Sequence, residues 1–450
     1  MAPAVSAAIK PEPDVVWSRE NVSMSVVLEA LNDIRKKFAL VEMEETEHPH
    51  PRSCVMTLIA VASSEAEERR AQRAARMIGM SHPAQLIVIC DQPHLKPGQI
   101  DATITTDTFQ TQSASAIQCE LVNLHVRGAA GEHLAALVDP LLPSGVPTYL
   151  WWVGTPPFGK HEFTDALRIC DSLVIDSSRF EAPYRSFMDL TKLGESSHQK
   201  LGVADLQWAR LEPWRETVAQ FFSPGDRRPF MNGISEVGVD YVGEGRGNRV
   251  GASLLIGWMA SALGWKLQRA AGGGGGVVAA HFSAEGWRPV EVAFRSVPKE
   301  QMAEGELAAI RVAGSAKGKT FKLTVMRNPE RARRPAAGGY QALHSTGGED
   351  DAGLELAQRK AAWHRDVQQK TAPEDRPPQP GIFVHERRRS DNSLVLLTLI
   401  DIGGGDPLRH VQRVEPEDEA TLLLRLLANG AHDHVYSRSL LAAAELFRAI

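Results

Sequence analysis

Apolar residues recur with two different rhythms along this chain. Behind Ser23, Val27, Leu31, Ile34 and Phe38 return at helical spacing, with the serine placed to cap the helix. Residues 54–61 then form a nearly continuous apolar run, as expected of a strand buried on both faces. Ser63 and Ser64 follow, with Glu65, Glu67 and Glu68 close behind, a capped and acidic helix start running to Met80. Residues 85–90 are the next apolar strand. This strand, helix, strand order is a βαβ unit, and the pattern repeats. Strands are predicted at 102–108, 117–126, 148–153 and 173–175, and helices at 131–142 and 163–169. The fold class this implies is an N-terminal doubly wound, layered α/β domain.

Beyond Phe180 the rhythm turns helical as far as Phe222, and a strand at 236–242 and an apolar helix at 248–263 follow. Five glycines at 272–276 cannot be held cheaply as regular structure and read as a turn, a linker or a domain edge. Four short β segments come next, at 277–282, 289–294, 306–312 and 320–326, a meander-like antiparallel sheet. The stretch 328–380, rich in Arg, Pro, Gly and Asp, reads as a mobile insertion holding one polar helix at 354–369. Residues 382–385 and 394–400 read as a hairpin, and helices at 418–427 and 437–449 as a cover for one sheet face. The expected organisation is therefore an α/β domain with a helical insert over 1–271 and a smaller α+β domain, its sheet largely antiparallel, over 277–450.

Composition changes this picture little. Of 450 residues 43% are hydrophobic and 23% charged, ordinary for a globular protein, and a net charge of -5 gives no basic field for nucleic acid or a membrane surface. Cys54, Cys90, Cys119 and Cys170 are scattered, without a C-x-x-C pair, and read as buried thiols in a reducing cytosol. The first thirteen residues lack the apolar core of a secretory signal, so a cytoplasmic location is expected.

Catalytic motifs are missing from the pattern. The run from Gly243 to Gly251 follows a strand and opens a helix, where backbone amides can cradle an anion, but it is neither a P-loop nor a dinucleotide fingerprint. Gly245, Arg246, Gly247 and Arg249 are retained as a candidate anion site beside the reading as a flexible connection. Asp171 and Asp176 flank a strand, where carboxylates serve catalysis or caps; the serines around them favour caps. The histidines make no metal set, and no catalytic residue, metal or cofactor is assigned. Aromatic usage is more telling, with nine Trp against five Tyr. Trp208, Arg210, Trp214 and Arg215 fall within eight residues, followed by a helical stripe of Trp214, Val218, Phe221 and Phe222. They fit either a half-buried protein-binding seam with charged rims or a core margin.

This stretch, with Leu150-Trp151-Trp152 before it, the run 170–180 and the run 254–265, resembles the glucose-6-phosphate dehydrogenase assembly protein family, OpcA. The similarity is best between about 149 and 265, and the ordered series of segments carries it rather than any single motif. The resemblance implies a non-catalytic partner of glucose-6-phosphate dehydrogenase, an assembly factor or allosteric activator supporting the oxidative pentose phosphate pathway and NADPH supply. The alternative from a different class is an α/β enzyme or sensor binding a sugar phosphate or nucleotide near Gly243 to Gly251. Family members controlled through cysteines near the C-terminus differ from this chain, which has none after Cys170.

Overall fold

Two eight-stranded sheets organise the chain, each the centre of its own unit. The computed structural model describes residues 14–45, 54–110, 116–196, 201–243, 248–272, 277–298, 302–327, 394–414, 417–428 and 433–449. The first unit comprises Met1–Arg210 and Glu417–Ser437, the second Leu211–Pro416 and Arg438–Ile450.

In the first unit the elements run β1 (Asp14–Arg19), α1 (Met24–Glu45), β2 (Met56–Ala62), α2 (Glu65–Ser81), β3 (Ala84–Gln92), β4 (Gln99–Gln110) and β5 (Ala116–Arg127). They continue with α3 (Leu134–Val138), β6 (Thr148–Trp152), α4 (His161–Ala166), β7 (Ser172–Ile175), α5 (Pro183–Ser196), β8 (Gly202–Asp205) and α6 (Leu206–Arg210). The sheet order is β1-β4-β5-β3-β2-β6-β7-β8. From β5 to β8 every pair is parallel, and the chain winds outward from β2 in both directions, which is the doubly wound order. All seven residues of β2 are buried, the reason its sequence is continuously apolar. β4 folds back antiparallel on β5, and β1 closes that edge antiparallel to β4. β1 and the four-residue β8 escape a reading by apolar runs, since β1 is mostly exposed and β8 is too short.

The second unit holds α7 (Glu212–Phe222), α8 (Arg228–Met231), β9 (Ile234–Val242), α9 (Val250–Leu263), β10 (Lys266–Gly272), β11 (Val278–Ser283), β12 (Pro289–Val297), β13 (Leu307–Ala316), β14 (Lys319–Arg327), β15 (Leu394–Ile402) and β16 (Leu408–Val414). Its sheet order is β10-β11-β12-β9-β13-β14-β15-β16, antiparallel throughout except for the parallel pair β12 and β9. The expected meander is therefore interrupted, because β9 lies between β12 and β13. The expected boundary near residue 271 also shifts to 210/211, since β9 bonds to both of those strands and belongs to their sheet. One face is covered by helices: Phe221, Phe222 and Phe230 gather on Phe321 of β14, with ring centroids 4.8–6.0 Å from it. α9 is apolar nearly all round and buried along most of its length, with Trp258 half-buried and Ala262 exposed, and stops at Gly264, whose φ of +68° suits glycine.

The two closing helices divide between the units instead of sharing one sheet face. α10 (Glu419–Ala428) puts Ala420, Leu422, Leu423 and Leu427 into the first unit's core with Ala71, Ala75 and Ile78 of α2. α11 (His434–Ala449) starts in the first unit and from Arg438 belongs to the second, where it meets α9 at Gly257. A Cβ there would stand 2.3 Å from the Ser439 carbonyl oxygen. Among the described residues no helix is long and apolar enough to cross a membrane. The insertion at 328–380, its helix at 354–369 and the segment 382–385 lie outside the described residues.

Candidate functional site

In a doubly wound sheet, ligands bind where the winding reverses, outside the carboxyl ends of the strands. Here that place lies between β2 and β6. The loop leaving β2 is Ala62-Ser63-Ser64-Glu65, with no glycine to let a pyrophosphate approach the backbone. It is closed by its own side chains. Ser64 Oγ accepts the Glu67 N–H at 3.3 Å, and Glu67 Oε2 accepts the Ser63 N–H at 2.8 Å, a reciprocal cap using donors that phosphates take in nucleotide sites. The Glu67 carboxylate also fills the facing side of the crevice. A Cβ at Gly154, just beyond β6, would stand 2.3 Å from Glu67 Oε1. Glu65 and Glu68 share that first turn, so the positive end of the helix meets three carboxylates already.

Farther along the same edge, Glu68 binds His125 Nε2 at 2.7 Å and accepts from Gln72 at 3.0 Å, and this bond to Glu68 raises the His125 pKa. Burial, reinforced by Glu68, pushes the Cys90 thiol up to about 12, so it stays protonated and inert. Asp91, at the end of β3, is raised to about 6 by burial and then by Glu162. Among the described residues its Oδ1 has no hydrogen-bond partner, and it lies so close to Gly131 that a Cβ there would meet it at 2.1 Å.

The densest polar network stands at the ends of β7 and β8. Asp176, fully buried, takes Arg210 in a two-pronged pair, Nη1 to Oδ1 at 2.8 Å and Nη2 to Oδ2 at 2.9 Å. Burial alone would raise the Asp176 pKa; Arg210, with Ser178 and Arg179 behind it, outweighs burial and holds it low. Asp205, its neighbour on β8, is paired with no arginine among the described residues. It accepts from Ser177 N at 3.0 Å, Ser177 Oγ at 2.6 Å, Gln207 N at 2.9 Å and Tyr436 Oη at 3.2 Å, and burial still raises it to about 6. Trp208 packs on Tyr436 at 5.6 Å and donates its indole N–H to Asp433 at 2.7 Å. Glu419 of α10 pairs with Arg70 of α2, and Arg425 donates to the Ala209 carbonyl at 3.1 Å. These contacts fasten the returning segment Glu417–Ser437 within the first unit.

The four residues read from sequence as a protein-binding seam thus fall in two units. Trp208 and Arg210 belong to the first, and Trp214 and Arg215 to the second. Both tryptophans are buried, at 4% and 3% exposure, and not half exposed as a seam would have them. Trp208 has its partner in Asp433, and Trp214 lies on the buried stripe of α7 with Val218, Phe221 and Phe222. Arg210 serves Asp176, and Arg215 is half-buried. Of the candidate anion residues, Gly245, Arg246 and Gly247 lie outside the described residues, while Arg249 rests over the Phe447 ring, 5.8 Å from its centroid. Asp176 accepts the Ser178 N–H at 3.2 Å as a cap, besides its pair with Arg210, whereas Asp171 accepts the Thr148 N–H at 2.8 Å, a bond to the start of β6 and not a local cap. Sequence reasoning missed Tyr436 and Asp433, which reach Asp205 and Trp208 only because the chain returns more than two hundred residues later; nothing local signals them. Glu67 was legible from the Ser64-x-x-Glu67 spacing.

Among the described residues no group of three or more histidine, cysteine or acidic side chains is arranged to hold a metal. A doubly wound unit whose reversal crevice is closed by its own carboxylate, followed by a largely antiparallel α+β unit, defines a two-unit scaffold with the nucleotide-binding topology but not its loop. Comparison with known families agrees with a scaffold of this size. Residues 201–440 match the C-terminal domain of the family described as glucose-6-phosphate dehydrogenase subunit, and residues 75–192 match the N-terminal domain of that family. The chain belongs to this family, OpcA. A protein of Nostoc punctiforme, whose name assigns it provisionally to the OxPP cycle as OpcA, is 29% identical over 248 residues, covering 54% of this chain and 52% of the relative. A Synechococcus elongatus protein of the same name is 30% identical over 245 residues, covering 53% of each. The chain thus spans about half the length of these curated relatives. Among solved structures, a UDP-N-acetylglucosamine 3-dehydrogenase from Acidithiobacillus ferrooxidans aligns over 88% of this chain and 97% of its own, at 11% identity and a TM-score of 0.38.

Proposed function

We propose that this chain is a non-catalytic partner of glucose-6-phosphate dehydrogenase, promoting the enzyme's active oligomer or its turnover and so supporting the oxidative pentose phosphate pathway and NADPH supply. One observation carries the non-catalytic part: Glu67 accepts the Ser63 amide and fills the space at Gly154, where a dinucleotide would lie. A phosphate entering there would meet Glu65, Glu67 and Glu68 in place of free amides. The partner comes from the family, whose description names the enzyme to which its members belong as subunits.

The test mixes the purified full chain with the cognate dehydrogenase, measures binding, and follows NADP reduction by each protein alone and by the mixture. The expected result is a complex, no turnover by the chain alone, and a changed kcat or KM in the mixture. Turnover of glucose 6-phosphate by the chain alone, or neither a complex nor any kinetic effect, refutes the proposal.

A further inference from the structure

In the first unit the turn Gly128–His133 ends on an imidazole and α4 begins on one. The rings of His133 and His161 stand edge to face, with centroids 5.9 Å apart and planes at 80°. Both residues are exposed, and among the described residues neither imidazole has a hydrogen-bond partner, so their ring nitrogens are open to a ligand. The spacing is held from behind. Asp165 of α4 accepts the Ala135 N–H at 2.9 Å, which ties the first turn of α3, just after His133, to α4. Phe163 of α4 is buried and packs on Trp152 at 5.3 Å and on Phe158 at 5.4 Å. The two backbones therefore stay in place while the exposed rings turn about their own bonds.

Imidazole suits zinc and copper among the divalent ions, whereas calcium and magnesium take oxygen ligands. Two rings sharing a tetrahedral Zn2+ have centroids about 5.2 Å apart, given metal–nitrogen bonds of about 2.0–2.1 Å, so a shift of under ~1 Å closes the pair on an ion. Glu132, exposed and next to His133 in the chain, adds negative charge that favours a dication. The carboxylates of α4 are engaged elsewhere, Glu162 at 3.7 Å from Lys160 and Asp165 on Ala135. Among the described residues no third histidine, cysteine or carboxylate joins the pair, so an ion held here keeps open positions, unlike a closed structural site. We propose that His133 and His161 form a surface site for a divalent transition-metal ion, Zn2+ or Cu2+, with its open positions left to water or to a donor from another molecule.

Edge-to-face packing holds rings at this spacing too, so the test reads the ion itself. Zn2+ is titrated into the full chain by calorimetry, and the nitrogens bound to one equivalent of Cu2+ are counted by electron paramagnetic resonance. The variants are His133→Gln, His161→Gln and, as a control, His94→Gln, an exposed histidine outside the pair. All three positions are exposed, so the variants should unfold as the wild type does, which a thermal scan checks. The expected result is two imidazole nitrogens on Cu2+ in the wild type, at least a tenfold loss of Zn2+ affinity in His133→Gln and in His161→Gln, and wild-type affinity in the control. Binding that survives both substitutions is an adventitious ion only and overturns the proposal. A loss confined to one of the two is binding by a single imidazole and overturns it as well. A wild-type chain that takes up neither ion, or holds Cu2+ through fewer than two imidazoles, overturns it whatever the variants do.

Discussion

Replacing Arg210 by alanine should unbalance the first unit more than any exposed arginine would. Its guanidinium is the principal counter-charge of Asp176, whose side chain is fully buried, and both prongs of the pair are short. Removing one member of a buried pair leaves the other charge desolvated and uncompensated, at a cost of about 3–5 kcal/mol. Arg179, Nε at 3.2 Å from Asp176 Oδ2, remains and favours the lower end of that range, although it is 48% exposed. For a unit of this size about 3–5 kcal/mol lowers the thermal midpoint by roughly 6–20 °C. The pH dependence gives a sharper check. In the wild type Asp176 is held below its unfolded value, so its contribution is present above an unfolded pKa of about 4 and lost only as pH falls through the lower folded one. In Arg210→Ala burial dominates and the folded pKa rises above the unfolded one, so the penalty is full at neutral pH and shrinks as pH falls toward about 4. Urea unfolding of wild type and variant at pH 7.5 and pH 5 reads both effects. A loss below about 1 kcal/mol, or one equally large at the two pH values, refutes the reasoning.

Three further substitutions probe the same structure elsewhere. Trp208→Phe keeps a ring against Tyr436 but deletes the N–H donated to Asp433; a loss of about 1–2 kcal/mol in the denaturant midpoint is expected, and no change would mean the bond is idle. Gly257→Ala puts a Cβ 2.3 Å from the Ser439 carbonyl and 2.9 Å from the Ala443 nitrogen, so α9 and α11 must part at about 1–3 kcal/mol despite alanine's better helix propensity; a stabilised variant would refute the close approach. Asp205, raised to about 6 chiefly by burial, lends stability below its unfolded pKa that is lost as pH rises through about 6. Asp205→Asn should therefore flatten the fall in stability between pH 5 and 7, and urea midpoints with an unchanged slope would contradict the assignment.

The parallel half of the first sheet was readable because strands buried on both faces must be apolar along their length: β2, β3 and β6 are buried almost without a break. The antiparallel edges were not. β1, β10 and β16 are largely exposed, so neither continuity nor alternation marks them. The insertion of β9 between β12 and β13 escaped for another reason, since strand order is set by long-range pairing and adjacent segments looked like a meander. Trp208 and Trp214 show the limit for sites. Spacing identified them as important but could not tell a packed indole from an exposed anchor, because Asp433, which takes the Trp208 N–H, lies 225 residues away.

The carboxyl ends of a doubly wound sheet gather helix N-termini and polar loops, and in nucleotide-binding proteins the ligand satisfies them. In this chain most of those groups are satisfied from within. Ser63 is taken by Glu67, Asp176 by Arg210, and Asp205 by Ser177 and Tyr436. The last of these comes from the returning segment, so polar chemistry that elsewhere holds a ligand here fastens a stretch of polypeptide. Asp91 Oδ1 is the exception on this edge, and it faces the Gly131 backbone. A fold that uses its crevice for internal bonding has to recognise other molecules through its surfaces.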